Sequence, residues 1–185
     1  MLYSDLVSSL MSLPSGSTRA AFLEFLQDKR GAALWKGEGQ EHITASCFVF
    51  SPEADQVLLC FHRKGNFWVQ LGGHLEPHDL TAADAALREA REESGLERLQ
   101  LSSEKIADLD RHELVGAFTC AAHWDIGFIA IADPDSALLI SDESDDLRWF
   151  PLAGLPTELA PGCGRRIMAL RHAARTDHGT HFCEK

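Results

Sequence analysis

Glu89, Glu92 and Glu93 lie within GGHLEPHDLTAADAALREAREESGL, residues 72–96, at a spacing that can gather a metal ion. The stretch predicts a helix that starts near Thr81, with a capping-box-like Thr81–Asp84 pattern, and stops at Gly95, a residue suited to a left-handed C-cap. Helix positions three and four apart share a face. Glu89 therefore sits one turn before Glu92 and Glu93, and the three carboxylates converge. Like charges so stacked repel by about 0.2–0.5 kcal/mol per pair, and a divalent cation reverses the sign. Hard cations such as Mg²⁺ take carboxylate oxygens and keep positions open for phosphate oxygens. Taken alone, REAREE also reads as a solvated face, with Arg88 and Glu92 as an ordinary i,i+4 pair.

The elements that must position this helix follow from periodicity. HITASCFVF (42–50) and QVLLCFH (56–62) are β-branched and aromatic, and SPEAD between them marks a hairpin-like break. NFWVQLGG (66–73) is a short extended piece feeding the Gly-Gly turn. Further strands are expected near 98–102, 111–119 and 122–132, then an acidic loop SDESDD (141–146) and a final helix near 164–175. Residues 1–40 read as two helical segments broken by LPSGS, with Leu2, Leu6, Val7, Leu10 and Met11 on one and Ala21, Phe22, Phe25 and Leu26 on the other. They carry no catalytic constellation. A lid, a packing arm and a contact in a homodimer are the three roles open to them.

The acidic helix and its loop resemble the signature of the Nudix hydrolases: G, five residues, E, seven residues, then R-E-U-x-E-E-x-G-U, with U aliphatic. Gly73, Arg88, Glu89, Glu92, Glu93, Gly95 and Leu96 match, with Ala90 at the first U. Two positions depart. Gly73 to Arg88 spans fifteen positions where the family has fourteen, so one residue is inserted in the loop. The first acid falls at Asp79, with Glu76 as a competitor.

The resemblance implies an α/β fold over roughly 42–160, an α/β/α sandwich around a mixed sheet, carrying residues 1–40 as a helical extension of a domain over 41–185. It implies hydrolysis of a phosphoanhydride in a nucleoside diphosphate linked to another group, dependent on Mg²⁺, for which Mn²⁺ can substitute. Glu89, Glu92 and Glu93 are then the metal ligands, Glu92 and Glu93 belong to the catalytic set, and Arg88 orients the cluster. The general base is a motif glutamate or an acid from a distant loop. Glu143 in SDESDD, near Asp142 and Asp145, is the preferred loop candidate, and a solvated acidic loop is the alternative. A Nudix-fold module that binds a nucleotide or a protein without catalysis is the competing class.

Substrate contacts are assigned to Arg63 and Lys64, which end the second strand near the motif, to Gly72 and Gly73, which permit an unusual loop close to a ligand, and to His74 beside them. A surface hairpin end and a plain turn are the bland readings of these segments. Trp68, before the Gly-Gly turn, could flank the pocket or pack the core, and core packing is the favoured reading. His123 and Asp125, two apart on a strand, share one face. The tail holds Cys163, His172, His178, His181 and Cys183, but their spacing fits no standard zinc finger, and a frayed terminus is the favoured reading. The substrate markers implied by the family, a Tyr or a Pro beyond the motif, are absent: the only tyrosine is Tyr3, and Arg111 and His112 stand where the Pro would be.

At 185 residues one domain is expected. No apolar run reaches a membrane span, the first residues lack the pattern of a signal peptide, and five cysteines without a CxxC pair suit a reduced cytoplasmic protein. A net charge of −11 argues against a nucleic-acid polymer as partner and is compatible with a small phosphorylated substrate that brings its own cation.

Overall fold

The computed structural model describes residues 2–114, 119–140 and 144–181, with backbone alone for 176–181. In chain order the elements are α1 (Leu2–Ser12), α2 (Ser17–Lys29), a 3₁₀ turn (Arg30–Leu34), β1 (Glu41–Phe50), β2 (Gln56–His62), β3 (Phe67–Val69), β4 (Leu71–His74), α3 (Ala82–Ser94), β5 (Asp108–Glu113), β6 (Ala122–Ile131), β7 (Ser144–Pro151), a 3₁₀ turn (Leu152–Gly154) and α4 (Cys163–His181). The seven strands form one sheet in the order β3-β2-β1-β6-β5, with β4 also pairing β1 and β7 pairing β2. β1 and β6 run parallel and every other pair is antiparallel, so the sheet is mixed.

β1 shows why the sheet is covered on both sides. Its side chains alternate between faces, and both sets are apolar over much of its length. Ile43, Ala45, Cys47 and Val49 pack with α1, α2 and α3 through Leu6, Leu10, Phe22, Leu26, Ala86 and Ala90. Phe48 and Phe50 face the other way, onto Ile167, Leu170 and Ala174 of α4. The earlier residues on that second face, Thr44 and Ser46, are polar, and there the layer opens into a cleft. The fold is the expected α/β/α sandwich around a mixed sheet.

The N-terminal helices pack onto the sheet. Phe25 stacks on Trp124 of β6 at 4.6 Å between ring centroids, Phe22 meets the same ring edge-on at 5.0 Å, and the Tyr3 hydroxyl donates to the Leu26 carbonyl. Three segment expectations need correction. Residues 98–102 are no strand: the Leu99 amide turns back to the Leu96 carbonyl, and Leu101 makes only an isolated bridge to Ala130. The strand expected over 111–119 runs earlier, over Asp108–Glu113, where β6 offers a partner, and 115–118 lie outside the described residues. Ser144, Asp145 and Asp146 belong to β7, because pairing with β2 continues to Ser144 opposite His62. The tail is helical to His181, while Cys183 lies outside the described residues.

Candidate active site

Helix α3 is fixed at both ends by its own sequence. The Thr81 hydroxyl accepts from the Asp84 amide at 3.0 Å, the Asp84 carboxylate accepts from the Thr81 amide at 3.1 Å, and Gly95 closes the helix at φ 72°. Its inner face, Ala82, Ala83, Ala85, Ala86 and Ala90, is buried. With only methyl groups between them, helix and sheet approach closely.

That approach brings the carboxylates to the cleft across the two glycines of β4. The Gly72 amide donates to Oε2 of Glu93 at 2.8 Å, and Glu93 is buried. A Cβ on Gly73 would lie 2.6 Å from the carboxylate carbon of Glu89, so the missing side chain is the space in which Glu89 sits. Burial pushes the Cys60 thiol up, so it stays protonated and faces Oε1 of Glu93 at 3.8 Å as a weak donor.

Arg88 ties the cluster together. Its guanidinium donates to both oxygens of Asp79 at 3.0 and 3.1 Å, to Glu89 at 3.0 Å, to Glu92 at 3.1 Å and to the His74 carbonyl at 2.9 Å. This fork–fork geometry with Asp79 is the strong form of an ion pair. Burial would raise the pKa of Asp79, but the bonds from Arg88 and from the Glu76 amide outweigh it and hold the carboxyl below its ordinary value. Asp79 is thus the acid bonded directly to the arginine, while Glu76 stands farther off at 4.0 Å.

The facing wall comes from the sheet, where residues paired in register share a face. One row across β1, β6 and β5 is His42, His123, His112, and the next is Thr44, Asp125, Asp110. Asp125 is the hub of the second row. It accepts from Thr44 at 2.8 Å, Ser46 at 2.5 Å and Arg166 of α4 at 2.6 Å, and Arg166 also reaches Asp108. Burial opposes its ionisation, yet the Arg166 charge and these hydrogen bonds hold its pKa low, so a buried carboxylate with a buried guanidinium floors the cleft. The whole encloses about 380 Å³, with Glu89, Glu92 and Glu93 on one side, Asp125 and His123 on the other, and Phe67 and Val69 as an apolar flank.

The profile of the NUDIX domain matches residues 40–170. The chain belongs to this family. Solved structures with the same fold include an Ap4A hydrolase of C. elegans, 18% identical over 71% of this chain and 96% of that one, with a TM-score of 0.59. The E. coli dihydroneopterin triphosphate pyrophosphohydrolase is 17% identical over 71% and 95%, with a TM-score of 0.58. A NUDIX-family hydrolase of Clostridium perfringens is 25% identical over 75% and 97%, with a TM-score of 0.52. A sequence search of curated proteins gave no match. By family and fold the chain is a Nudix hydrolase.

Within this Nudix cleft the structure brings together Gly72, Gly73, His74, Glu89, Glu92 and Glu93, with Arg88 behind them. Arg63 and Lys64 fall outside the lining. Arg63 turns to the opposite charge of Asp145 on the paired strand β7, at 2.6 Å, and is exposed. Lys64 is exposed in the β2–β3 turn, near enough for its charge to add to the burial that depresses the His74 pKa. Glu143 and Asp142 lie outside the described residues. Trp68 is core, wedged edge-on against Phe61 and Phe150. The sequence reading missed the Asp125–Arg166 pair, although the shared face of His123 and Asp125 was a signal for half of it. No helix among the described residues is long and apolar enough to cross a membrane.

Proposed function

We propose that the protein is a Mg²⁺-dependent pyrophosphohydrolase that cleaves a phosphoanhydride in a nucleoside diphosphate linked to another group. The observation that carries this is the convergence of Glu89 and Glu93 on the cleft through the two glycines of β4, with Glu92 beside them. An all-carboxylate donor set suits a hard cation, and Mn²⁺ can take its place. When bound, such a cation neutralises charge on the phosphate oxygens and acidifies the attacking water.

The chain's own residues do the rest. Glu89, Glu92 and Glu93 hold the cation. Arg88 keeps Glu89 and Glu92 in register with Asp79 and touches no substrate. Thr44, Ser46 and Gln70 surround Asp125 and present a polar floor able to hydrogen-bond a nucleobase or sugar, while Phe67 and Val69 offer an apolar surface beside it. Gly73 and His74 border the metal side, and Lys64 supplies a cation near the mouth. The general base is a motif glutamate or a loop acid, and Glu143 is the loop candidate.

Product release across a panel of nucleoside triphosphates, dinucleoside polyphosphates and nucleotide sugars, with and without Mg²⁺, tests this reading. Metal-dependent cleavage of at least one member is expected. Ligand-induced stabilisation with no product from any member would instead make the protein a binding module, for a ligand at 100 times its Kd adds about 2.7 kcal/mol whether or not it turns over.

A further inference from the structure

Beside the carboxylates, on the same sheet face, lies a second group of metal-ligating side chains that the hydrolytic chemistry does not use. His42 is the second residue of β1, His74 ends β4, His123 is the second residue of β6, and Cys120 stands in the connection from β5 to β6. Each offers one ligand atom, and the four atoms lie within 4.8 Å of one another. Ring centroids of His42, His74 and His123 are 4.8–5.4 Å apart. His42 is fully buried, and among the described residues neither of its ring nitrogens has a hydrogen-bond partner. Nε2 of His74 and Nε2 of His123 are buried and unpartnered as well.

Buried polar groups are nearly always satisfied. One nitrogen from each of the three rings can turn to a common partner, and a cation is the partner that three such lone pairs suit. Among the described residues none donates to these nitrogens.

We propose that His42, His74, His123 and Cys120 form a four-ligand site for Zn²⁺, separate from the carboxylate site on α3. Three imidazoles and a thiolate are the donor set of a borderline-soft cation and the wrong one for Mg²⁺ or Ca²⁺, which take oxygen. Zinc bonds of about 2.0–2.1 Å to nitrogen and 2.3 Å to sulfur place ligand atoms roughly 3.3–3.6 Å apart at the corners of a tetrahedron. Small side-chain rotations bring the present spread to that size. Three of the ligands sit on strand ends held in register, so the backbone predisposes the site. With four protein ligands the site is closed and structural. It fastens the β5–β6 connection to the wall of the cleft that His74 and His123 line, and it shapes that wall without taking part in the reaction.

The test needs no substrate. The full chain, produced with zinc and dialysed against excess Mg²⁺ to occupy hard sites, is assayed for zinc by mass spectrometry, then reloaded with Co²⁺ for spectroscopy. One equivalent of zinc is expected to remain. The Co²⁺ form should show a thiolate-to-metal charge-transfer band with strong tetrahedral d–d bands. Cys120→Ser, a change in a part-exposed connection that spares the core, should abolish the charge-transfer band and weaken zinc binding more than about a hundredfold, beyond what loss of an outer partner costs. Glu93→Gln should retain zinc in full. Wild-type protein holding less than a tenth of an equivalent, a charge-transfer band that survives in Cys120→Ser, or loss of zinc in Glu93→Gln would each overturn the proposal. None of these results depends on turnover, so the hydrolase reading stands or falls separately.

Discussion

Gly73→Ala isolates the role of the missing side chain in β4. The new Cβ would fall 2.6–2.7 Å from the carboxylate atoms of Glu89, against 3.4 Å or more for ordinary contact, so the carboxylate must retreat by about 0.8 Å. The obstacle is the end of a flexible side chain, and it can move. Doing so weakens one charge-assisted bond from Arg88, worth about 1.5–3 kcal/mol at most, while the added methyl restricts the unfolded chain by about 0.4–1 kcal/mol in the opposite direction. The net loss of about 1 kcal/mol lowers Tm by roughly 2–4 °C in a protein of this size. Chemistry suffers more: misplacing a ligand by about 1 Å costs on the order of 10²-fold, or about 2.7 kcal/mol of transition-state stabilisation. Gly72→Ala is the control, since its Cβ would strike backbone, the Ala45 carbonyl at 2.5 Å and Ser46 Cα at 2.6 Å, at φ +149°. That variant should lose fold and activity together. Thermal unfolding and Mg²⁺-dependent kinetics of both variants are the assay. Gly73→Ala with kcat/KM within twofold of wild type would refute the claim that Glu89 occupies the glycine's space for function.

Asp79→Asn should cost about 2 kcal/mol at pH 7 by removing charge from the fork with Arg88. The folded pKa of Asp79 lies below its unfolded value, so this stability is present above about pH 4 and fades as pH falls through the folded pKa. Urea unfolding from pH 7 to 3 should show wild type converging on the mutant. Glu143→Gln should lower kcat by at least about a hundredfold at unchanged Mg²⁺ affinity if the residue is the base, and a change under twofold would remove it from the mechanism. Phe25→Ala strips the ring stacked on Trp124 and should cost about 3–5 kcal/mol in urea unfolding while leaving KM unchanged, as befits a packing arm rather than a lid.

Much of this was legible in the sequence. The capping box at Thr81, the stop at Gly95, β1, β2 and the convergence of the glutamates all rest on short-range rules, helix period, strand alternation and cap chemistry, which need no tertiary partner. Long-range pairing was not legible. Arg63 looked like a phosphate contact because its neighbour in space, Asp145, is distant in the chain. Ser144–Asp146 looked like loop because acidic residues favour solvent until a partner strand claims them. Arg166 gave no sign of its role, since only the folded sheet brings Asp108 and Asp125 beneath α4. The same holds for His42 and Cys120, which adjoin no motif and meet His74 and His123 only through the parallel register of β1 and β6.

The most direct test of the account is metal-dependent turnover by Glu93→Gln beside wild type on the best substrate of the panel. Glu93 accepts the Gly72 amide and faces the cleft, and glutamine preserves its size while removing its charge. The account predicts a fall in kcat of several orders of magnitude, loss of most Mg²⁺- or Mn²⁺-induced stabilisation, and a metal-free fold as stable as wild type or slightly more so. Near-normal turnover, or unchanged Mn²⁺ affinity, would place the catalytic metal away from α3 and contradict the account.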